Sequence, residues 1–382
     1  MIVNRAYRYE LNPNDGKRIL LAKHAGAARF AFNWGLARRV EKYERDKTST
    51  NAIVQHRELN ALKKTDFPWM YEVSKCAPQE ALRDLDKAFK NFFRGLKYGQ
   101  KIGFPKYKRK GINDSFRLTG AIHVKDKAVQ LPRLGLIRLK EPSAVNGRIL
   151  SATVRREANR WFVSLAVEME MPEPQPVQGE AVGVDVGLNC FAACSDGHKE
   201  YAPKPLNKHL NRLKRYQCRV NRKIEAAKKA GGKTKGWPAS NNLRKASARV
   251  AKIHCRIRNI RQDFLHKFST SLAKTKSEIM LEDLNIIGMM RNHRLARHIA
   301  DAGWGEFRRM LEYKTQWYGS KLTFTPRFFA SSKTCCECGH VLVDMKLTVR
   351  DWKCPACGEH HDRDINAAKN LLNWGTASSA GI

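Results

Sequence analysis

The sequence predicts a multidomain α+β protein whose C-terminal half holds an α/β domain. Apolar residues recur every three or four positions over 16–45 and 75–97, which is typical of amphipathic helices. Short runs of alternating apolar and polar residues over 116–170 indicate strands. Two buried-strand patterns, at 181–187 and 279–282, flank two long helical segments. A chain of 382 residues has room for two or three such domains.

The N-terminal half is predicted to combine a small β-barrel or sheet with helices. Residues 2–11 alternate loosely and indicate a strand, and 149–154 and 161–167 predict a hairpin that turns near Ala158 and Asn159. We expect the first strand to join this β region, which makes the helical part an insertion. The predicted limits are 1–12 and 112–170 for the β-barrel, and 13–111 for the helical region.

A proline-rich segment separates the two halves. Met171-Pro172-Glu173-Pro174-Gln175-Pro176 predicts a stiff, extended linker, to which we assign residues 171–180. The C-terminal half then divides into an α/β domain interrupted by a cysteine-rich segment, and a tail expected to be disordered. Its predicted limits are 181–330 and 361–374 for the α/β domain, 331–360 for the cysteine-rich segment, and 375–382 for the tail.

The charge of the chain predicts a polyanionic partner. The formal net charge is +36, and such an excess attracts phosphate backbones. Residues 204–261 form a predicted helical hairpin of coiled-coil type that holds 19 Lys or Arg and one acid, Glu225. We favour a surface that follows phosphates over a merely solvated face, and a nucleic-acid enzyme over a ribosomal-type basic protein. The candidate contacts on the hairpin are Arg212, Arg219, Arg222 and Lys223.

Membrane and secreted classes are disfavoured. No stretch approaches the roughly 20 apolar residues of a membrane helix, and the N-terminus lacks the apolar core of a signal peptide. Six of the ten cysteines are scattered, a pattern that fits reduced thiols in a cytoplasm rather than a disulfide framework. We therefore expect a cytoplasmic protein with no membrane partner.

Four cysteines predict one structural zinc ion. Two Cys-x-x-Cys pairs can close a tetrahedral Cys₄ site, which leaves no open coordination position for catalysis. Cys336 breaks the two-residue spacing and is left out, and His340, His360 and His361 are weaker substitutes. The predicted ligands are Cys335, Cys338, Cys354 and Cys357.

Three separated acids predict a second metal centre. Asp185 lies in a first strand, Glu282 ends a later strand, and Asp364 lies at the start of the last helix. This order is typical of an RNase H-like core, in which carboxylates converge at one sheet edge and hold two Mg²⁺ ions about 3.5–4 Å apart. Asp283 is expected to face away from Glu282, and Asp362 to act as a helix cap or outer partner.

Five motifs resemble those of the TnpB family of insertion-sequence proteins, which are related to type V CRISPR effectors. Two N-terminal segments, residues 29–34 and 103–107, also look like the family's opening segments, so the resemblance covers nearly the whole chain. The five motifs are Gly183-Val184-Asp185-Val186-Gly187-Leu188, Leu281-Glu282-Asp283-Leu284-Asn285, Ser331-Ser332-Lys333-Thr334-Cys335 with Cys338-Gly339, Cys354-Pro355-Ala356-Cys357-Gly358, and Asp362-Arg363-Asp364-Ile365-Asn366-Ala367-Ala368-Lys369-Asn370.

The resemblance implies a monomeric RNA-guided DNA endonuclease, prokaryotic and nucleoid-associated. Its RuvC-like domain would carry the three acids, with the helical hairpin and the zinc ribbon as insertions. A wedge-like β-barrel and a helical recognition lobe would hold a guide RNA made from the element's end, and double-stranded DNA would be cut beside a short adjacent motif. Further nucleic-acid contacts are expected at Arg29, Asn33 and Lys106.

Two other functions fit the same residues. A DNA transposase that performs strand transfer could use the same fold and the same acids. A non-catalytic RNA- or DNA-binding regulator would keep the acids for structural reasons only.

Overall fold

The computed structural model describes residues 1–230, 240–327, 329–346 and 348–379. The chain divides into two compact units, Met1–Pro172 and Glu173–Ile382, and the division falls within the proline-rich segment. Among the described residues, none of the helices has the length and apolar character that crossing a membrane requires.

The strands of the first unit form two antiparallel sheets. A four-stranded sheet has the order β1-β7-β6-β2, and a three-stranded sheet has the order β3-β4-β5. As predicted, the first strand joins this region, because it pairs with β7 from Ile2 opposite Glu170 to Leu11 opposite Trp161. The strands are β1 (Ile2–Leu11), β2 (Ser115–Leu118), β3 (His123–Lys125), β4 (Ala128–Leu131), β5 (Gly135–Arg138), β6 (Arg148–Glu157) and β7 (Arg160–Glu170).

The predicted hairpin is confirmed as β6 and β7. Ala158 and Asn159 make its two-residue turn with φ angles of 46° and 67°. Two successive positive φ angles match the right-handed twist of the flanking strands.

Helices fill the interval between β1 and β2. The first begins after Asn14, whose side chain accepts a hydrogen bond from the backbone N–H of Lys17. Gly35 on this helix packs so closely on the third helix that a Cβ would lie 2.6 Å from Leu82. The sequence reasoning missed α2, a short helix with few buried residues. The helices are α1 (Asp15–Asp46), α2 (Ala52–Leu62) and α3 (Cys76–Lys97), with a 3₁₀ turn at Pro68–Glu72.

The second unit is built on a five-stranded sheet of order β10-β9-β8-β11-β12. Strands β8, β11 and β12 are parallel, and β13 and β14 form a separate two-stranded ribbon. The strands are β8 (Val182–Val186), β9 (Ala192–Cys194), β10 (Lys199–Glu200), β11 (Glu278–Glu282), β12 (Lys321–Thr325), β13 (Asp351–Lys353) and β14 (His360–Asp362).

The predicted helical hairpin is present as α4 and α5, while the predicted loop of Gly231, Gly232, Gly236, Trp237 and Pro238 lies outside the described residues. Phe191 after β8 makes edge contacts with Phe264 and Phe268 of α5 and Phe307 of α8, which fixes these helices on the sheet. The helices are α4 (Pro205–Lys229), α5 (Asn241–Thr275), α6 (Ile286–Met289), α7 (Ala296–Ala302), α8 (Trp304–Tyr318) and α9 (Arg363–Ser379).

The predicted disordered tail at 375–382 is wrong for residues 375–379, which continue α9. Gly375 is buried, and a Cβ there would lie 2.4 Å from the side chain of Met280 on β11. Packing on the sheet therefore extends the helix past a residue that composition alone assigns to a tail. Residues 380–382 lie outside the described residues.

Candidate metal centres and nucleic-acid interface

Strands β8 and β11 bring Asp185 and Glu282 to the same edge of the sheet. Val182 and Val184 of β8 are fully buried, and β11 pairs with β8 in parallel so that Leu281 lies opposite Val184. Asp185 and Glu282 each follow that matched pair by one residue. Because the two strands run in the same direction, both acids lie at their carboxyl ends, where α/β sheets bind ligands.

Helix α9 carries Asp364 toward the same edge. Its N-terminus is capped by Asp362, whose Oδ1 accepts hydrogen bonds from the backbone N–H groups of Asp364 (3.1 Å) and Ile365 (3.0 Å). This confirms the helix-cap role predicted for Asp362. The helix packs on β8 at Gly183, where a Cβ would lie 1.9 Å from the carbonyl oxygen of Ala368. Only glycine allows so close an approach.

The three carboxylates interact electrostatically. Burial raises the pKa of Asp185 well above its usual range, and the charges of Glu282 and Asp364 raise it further. Burial also raises the pKa of Glu282. The fold thus concentrates negative charge in a poorly hydrated place, which is costly unless cations neutralise it.

Polar neighbours that the sequence reasoning missed hold these acids. The Ser331 hydroxyl donates to Glu282 Oε1 at 2.6 Å, and Arg350 Nη1 donates to Asp364 Oδ1 at 3.3 Å. Lys199 pairs with Asp362 at 2.5 Å. Of these three residues, only Ser331 lies in a sequence motif identified above. Arg350 and Lys199 lie outside every such motif, so no sequence pattern indicated their contacts.

Asp283, the neighbour of Glu282, has different partners. Its carboxylate accepts hydrogen bonds from Arg308 (2.5 Å) and Arg327 (2.7 Å). These bonds lower its pKa. Asp283 is therefore a satisfied ion-pair residue, whereas Glu282 faces the acidic cluster.

The four predicted cysteines meet in one cluster. Among the residues that the structure describes, this is the only group of three or more Cys, His, Asp or Glu whose ligand atoms all lie within 4.8 Å of one another. Sulfurs are 3.7 Å apart between Cys335 and Cys357 and 3.6 Å apart between Cys338 and Cys354. Four sulfurs placed about 2.3 Å from a tetrahedral zinc ion lie about 3.8 Å apart. The cluster therefore fits a structural zinc site.

Each cysteine pair sits on a turn of the same design. Gly339 N–H donates to the carbonyl of Cys335 (3.0 Å), and Gly358 N–H donates to that of Cys354 (2.9 Å). Both glycines have positive φ, 75° and 78°, a conformation that suits glycine. Cys336 lies outside the cluster, as predicted, and its backbone N–H instead donates to Asn366 Oδ1 at 3.0 Å.

The zinc ribbon is tied directly to the helix that carries Asp364. His361 on β14 is buried and its Nε2 lies 3.0 Å from the sulfur of Cys335. Arg363 N–H, at the start of α9, donates to the carbonyl of Arg350 at 2.7 Å. The cysteine cluster and the acidic cluster are thus joined through one short ribbon.

The basic hairpin presents its predicted contacts on the surface. Arg212, Arg219, Arg222 and Lys223 are exposed on α4. The guanidinium groups of Arg212 and Arg219 lie 5.8 Å and 5.5 Å from the ring centre of Tyr216. The ring holds the arginines on one face, where they add to one another's positive field.

The predicted N-terminal contacts differ in their surroundings. Arg29 is mostly buried in an ion pair with Asp114 (3.1 Å), and both ends of the Asn33 amide bind the backbone of Lys108. These two side chains thus connect distant segments of the folded chain through their guanidinium and amide groups. Lys106 is exposed.

Comparison with known proteins decides the family. Three family models match, described as a helix-turn-helix domain (residues 1–48), a probable transposase (164–293) and a Cas12f1-like TNB domain (304–371). A protein of Streptomyces pristinaespiralis named "Putative RNA-guided DNA endonuclease" is 37% identical, across 99% of this chain and 91% of the relative. The chain belongs to the TnpB family.

Two further matches extend over nearly the whole chain. Its 30% identity with the Escherichia coli K12 relative InsQ, which carries the same name, covers 98% of this chain and 92% of the relative. The cryo-EM structure of a Cas12f1-sgRNA-target DNA complex matches with a TM-score of 0.53 and 13% identity, over 97% of this chain and 99% of that one. The protein therefore has a Cas12f-like mixed α/β fold with a Cys₄ cluster.

Proposed function

We propose that this TnpB protein is an RNA-guided DNA endonuclease that cuts DNA at a two-magnesium site. The observation that carries the proposal is the convergence of Asp185, Glu282 and Asp364 from two strands and a helix. Membership of a family whose relatives are named for this activity supports it.

The acidic cluster suits hard divalent cations. Carboxylate oxygens are preferred ligands of Mg²⁺, and Asp185, Glu282 and Asp364 would hold the ions. Nucleases with two metal ions hold them about 3.5–4 Å apart. When bound, such a pair lowers the pKa of an attacking water and stabilises the leaving 3′ oxygen.

Neighbouring side chains prepare this site. The hydrogen bond from Ser331 orients the Glu282 carboxylate. Arg350 partly neutralises Asp364. The capped N-terminus of α9 and its packing on β8 fix the position of Asp364.

The positive surface would hold the nucleic acids. A chain of net charge +36 can grip an RNA–DNA heteroduplex by its phosphates without reading its sequence. Base pairing with a guide RNA from the element's own end would then select the double-stranded target, as in other RNA-guided nucleases. An enzyme of this kind would act as a monomer on one RNA, at the nucleoid in a prokaryotic cytoplasm.

The domain limits follow the same proposal. We assign 181–330 and 361–379 to a RuvC-like nuclease domain, since α9 ends at Ser379, 331–360 to its zinc ribbon and 171–180 to a linker. We assign 1–12 and 112–170 to a wedge-like β-barrel and 13–111 to a helical recognition lobe.

A cleavage assay with the copurified RNA tests the proposal. The protein should cut double-stranded DNA that matches the RNA, and Asp185→Ala should abolish cutting while RNA binding persists. Asp263→Ala is a matched control, because this exposed acid on α5 pairs only with the exposed Lys267 in the described structure, a pair worth little stability. Cutting that survives Asp185→Ala, or a wild-type protein that joins transposon ends without RNA and never cuts matched DNA, would refute it.

A further inference from the structure

A cavity of about 300 Å³ opens beside the acidic cluster. Its wall includes Gly187 and Leu188, which follow β8 directly, so it begins two residues beyond Asp185. The start of α4 and helix α7 complete it. The cavity therefore lies beyond the carboxyl end of β8, on the side of the sheet where α/β proteins bind ligands.

The lining mixes apolar residues with polar ones, among them Asn207, His298 and Asp301. Leu188, Phe191 and Leu295 supply the apolar wall, and Asn189 and Lys204 lie at the polar rim. Pockets that bind small molecules span about 300–1,000 Å³, so this one has room for a single flat group and its substituent rather than a stretch of chain.

Lys204 brings a positive charge to the cavity, which also contains one acid. Asp301 is buried and its oxygens accept hydrogen bonds from the backbone N–H groups of Leu206 (3.1 and 3.0 Å) and Asn207 (3.4 Å). Its charge is thus engaged by the start of α4, and Arg261 lies 3.9 Å away. The ammonium group of Lys204 remains as the charge that faces an incoming ligand.

Lys204 also has a strained backbone. Its φ and ψ are 45° and 54°, and it precedes Pro205, a position where helical conformations are disfavoured. Strain of this kind collects at functional sites. The Lys204 ammonium donates to the Asn189 carbonyl at 3.2 Å, which uses one of its three N–H donors.

We propose that this cavity receives one unstacked nucleotide of the DNA strand that is being cut. The base lies against the apolar residues of the lining and its phosphate faces Lys204, while the neighbouring phosphate lies at the metal site that the acids would form. The proposal rests on the proposed function, since it needs a DNA strand crossing the acidic cluster. An apolar slot with a cationic rim at the catalytic edge matches a base joined to a phosphate better than a neutral metabolite or a cation.

The test uses guide-loaded protein with Asp185→Asn, so that the DNA stays intact. The probe is guide-matched DNA with 2-aminopurine at one position, moved one nucleotide at a time across the cut site. One position should become bright, because a base that leaves the stack loses its quenching neighbours. Leu295→Trp fills the cavity and should abolish that signal and weaken DNA binding about tenfold, within the range for loss of one base contact.

Ile287→Trp is the matched control. Both residues are exposed apolar side chains of one segment, 79% exposed at Ile287 and 41% at Leu295, but only Leu295 lines the cavity. The control should leave signal and affinity unchanged. Lys204→Gln removes the charge without filling the cavity. It should reduce the magnitude of the slope of log affinity against log salt concentration by about 0.7. Thermal melting and zinc content identify any variant that fails to fold.

Two results with the tryptophan variants would overturn the cavity proposal. The first is a bright position that persists in Leu295→Trp, and the second is an equal loss in Ile287→Trp. Both readouts need no cleavage, so they stay separate from the proposed function. If guide-loaded wild-type protein cuts no matched DNA, the nuclease proposal fails. If it cuts but no position becomes bright, only the cavity proposal fails.

Discussion

Replacing Gly183 by alanine should disable the proposed nuclease site without changing a carboxylate. The new Cβ would lie 1.9 Å from the carbonyl oxygen of Ala368 and 2.8 Å from the backbone nitrogen of Leu372. Both are backbone atoms of α9, so no side chain can rotate away. A carbon–oxygen contact needs about 3.3 Å, and the helix must therefore withdraw by about 1.4 Å.

That withdrawal sets the expected magnitude. Asp364 moves with α9, and a displacement of about 1 Å at a catalytic site can lower the rate about 10²-fold. Overpacking of this kind also costs about 1–3 kcal/mol of stability, which lowers the Tm by about 2–4 °C per kcal/mol. The measurements are guide-dependent cleavage rates and thermal melting of the purified complex.

Gly305→Ala is the control for Gly183→Ala. Gly305 lies in α8 of the same unit, and a Cβ there would be 3.5 Å from its nearest neighbour, an ordinary contact. This change should leave cleavage unaltered and raise stability by about 0.5–1 kcal/mol, since glycine is a poor helix residue. If Gly183→Ala cuts at the wild-type rate and melts at the same temperature, the packing of α9 on β8 does not position Asp364 and the reasoning fails.

Three further predictions concern other parts of the chain. Cys354→Ser should reduce the zinc content from about one ion per chain and destabilise the C-terminal ribbon; a variant that keeps its zinc and its melting profile would contradict the Cys₄ site. Lys314 is buried and donates to three oxygens, and burial lowers its pKa to about 8. The folded chain therefore releases this proton at a lower pH than the unfolded chain does. The free energy of unfolding of the wild type should rise by up to about 3 kcal/mol between about pH 8 and 10.5, relative to that of Lys314→Met. Urea unfolding measures both, and an equal pH dependence in the two proteins would contradict the prediction. Alanine at the four exposed basic positions of α4 should flatten the salt dependence of nucleic-acid binding by about 0.7–0.9 per lost phosphate contact, and an unchanged slope would mean that this face is only solvated. The four positions are Arg212, Arg219, Arg222 and Lys223.

Features set by neighbouring residues could be predicted from the sequence. The spacing of two cysteine pairs fixes two tight turns, and the apolar rhythm of α5 fixes a helix, because both depend on residues only a few positions apart. The strand positions of Asp185 and Glu282 followed from short apolar runs in the same way.

Features set by contacts between distant segments appeared only in the tertiary structure. Arg29 meets Asp114 and Asn33 meets Lys108 across intervals of 85 and 75 residues, so both side chains have structural partners that the local sequence pattern does not predict. The sequence by itself determined which acids and thiols the protein has and the elements that carry them. The tertiary structure decided how those groups meet, through the packing of α9 on β8 at Gly183 and through the ribbon that brings Arg350 to Asp364. The physical reason is that the chain topology, rather than the local sequence pattern, selects the partners of a charged side chain.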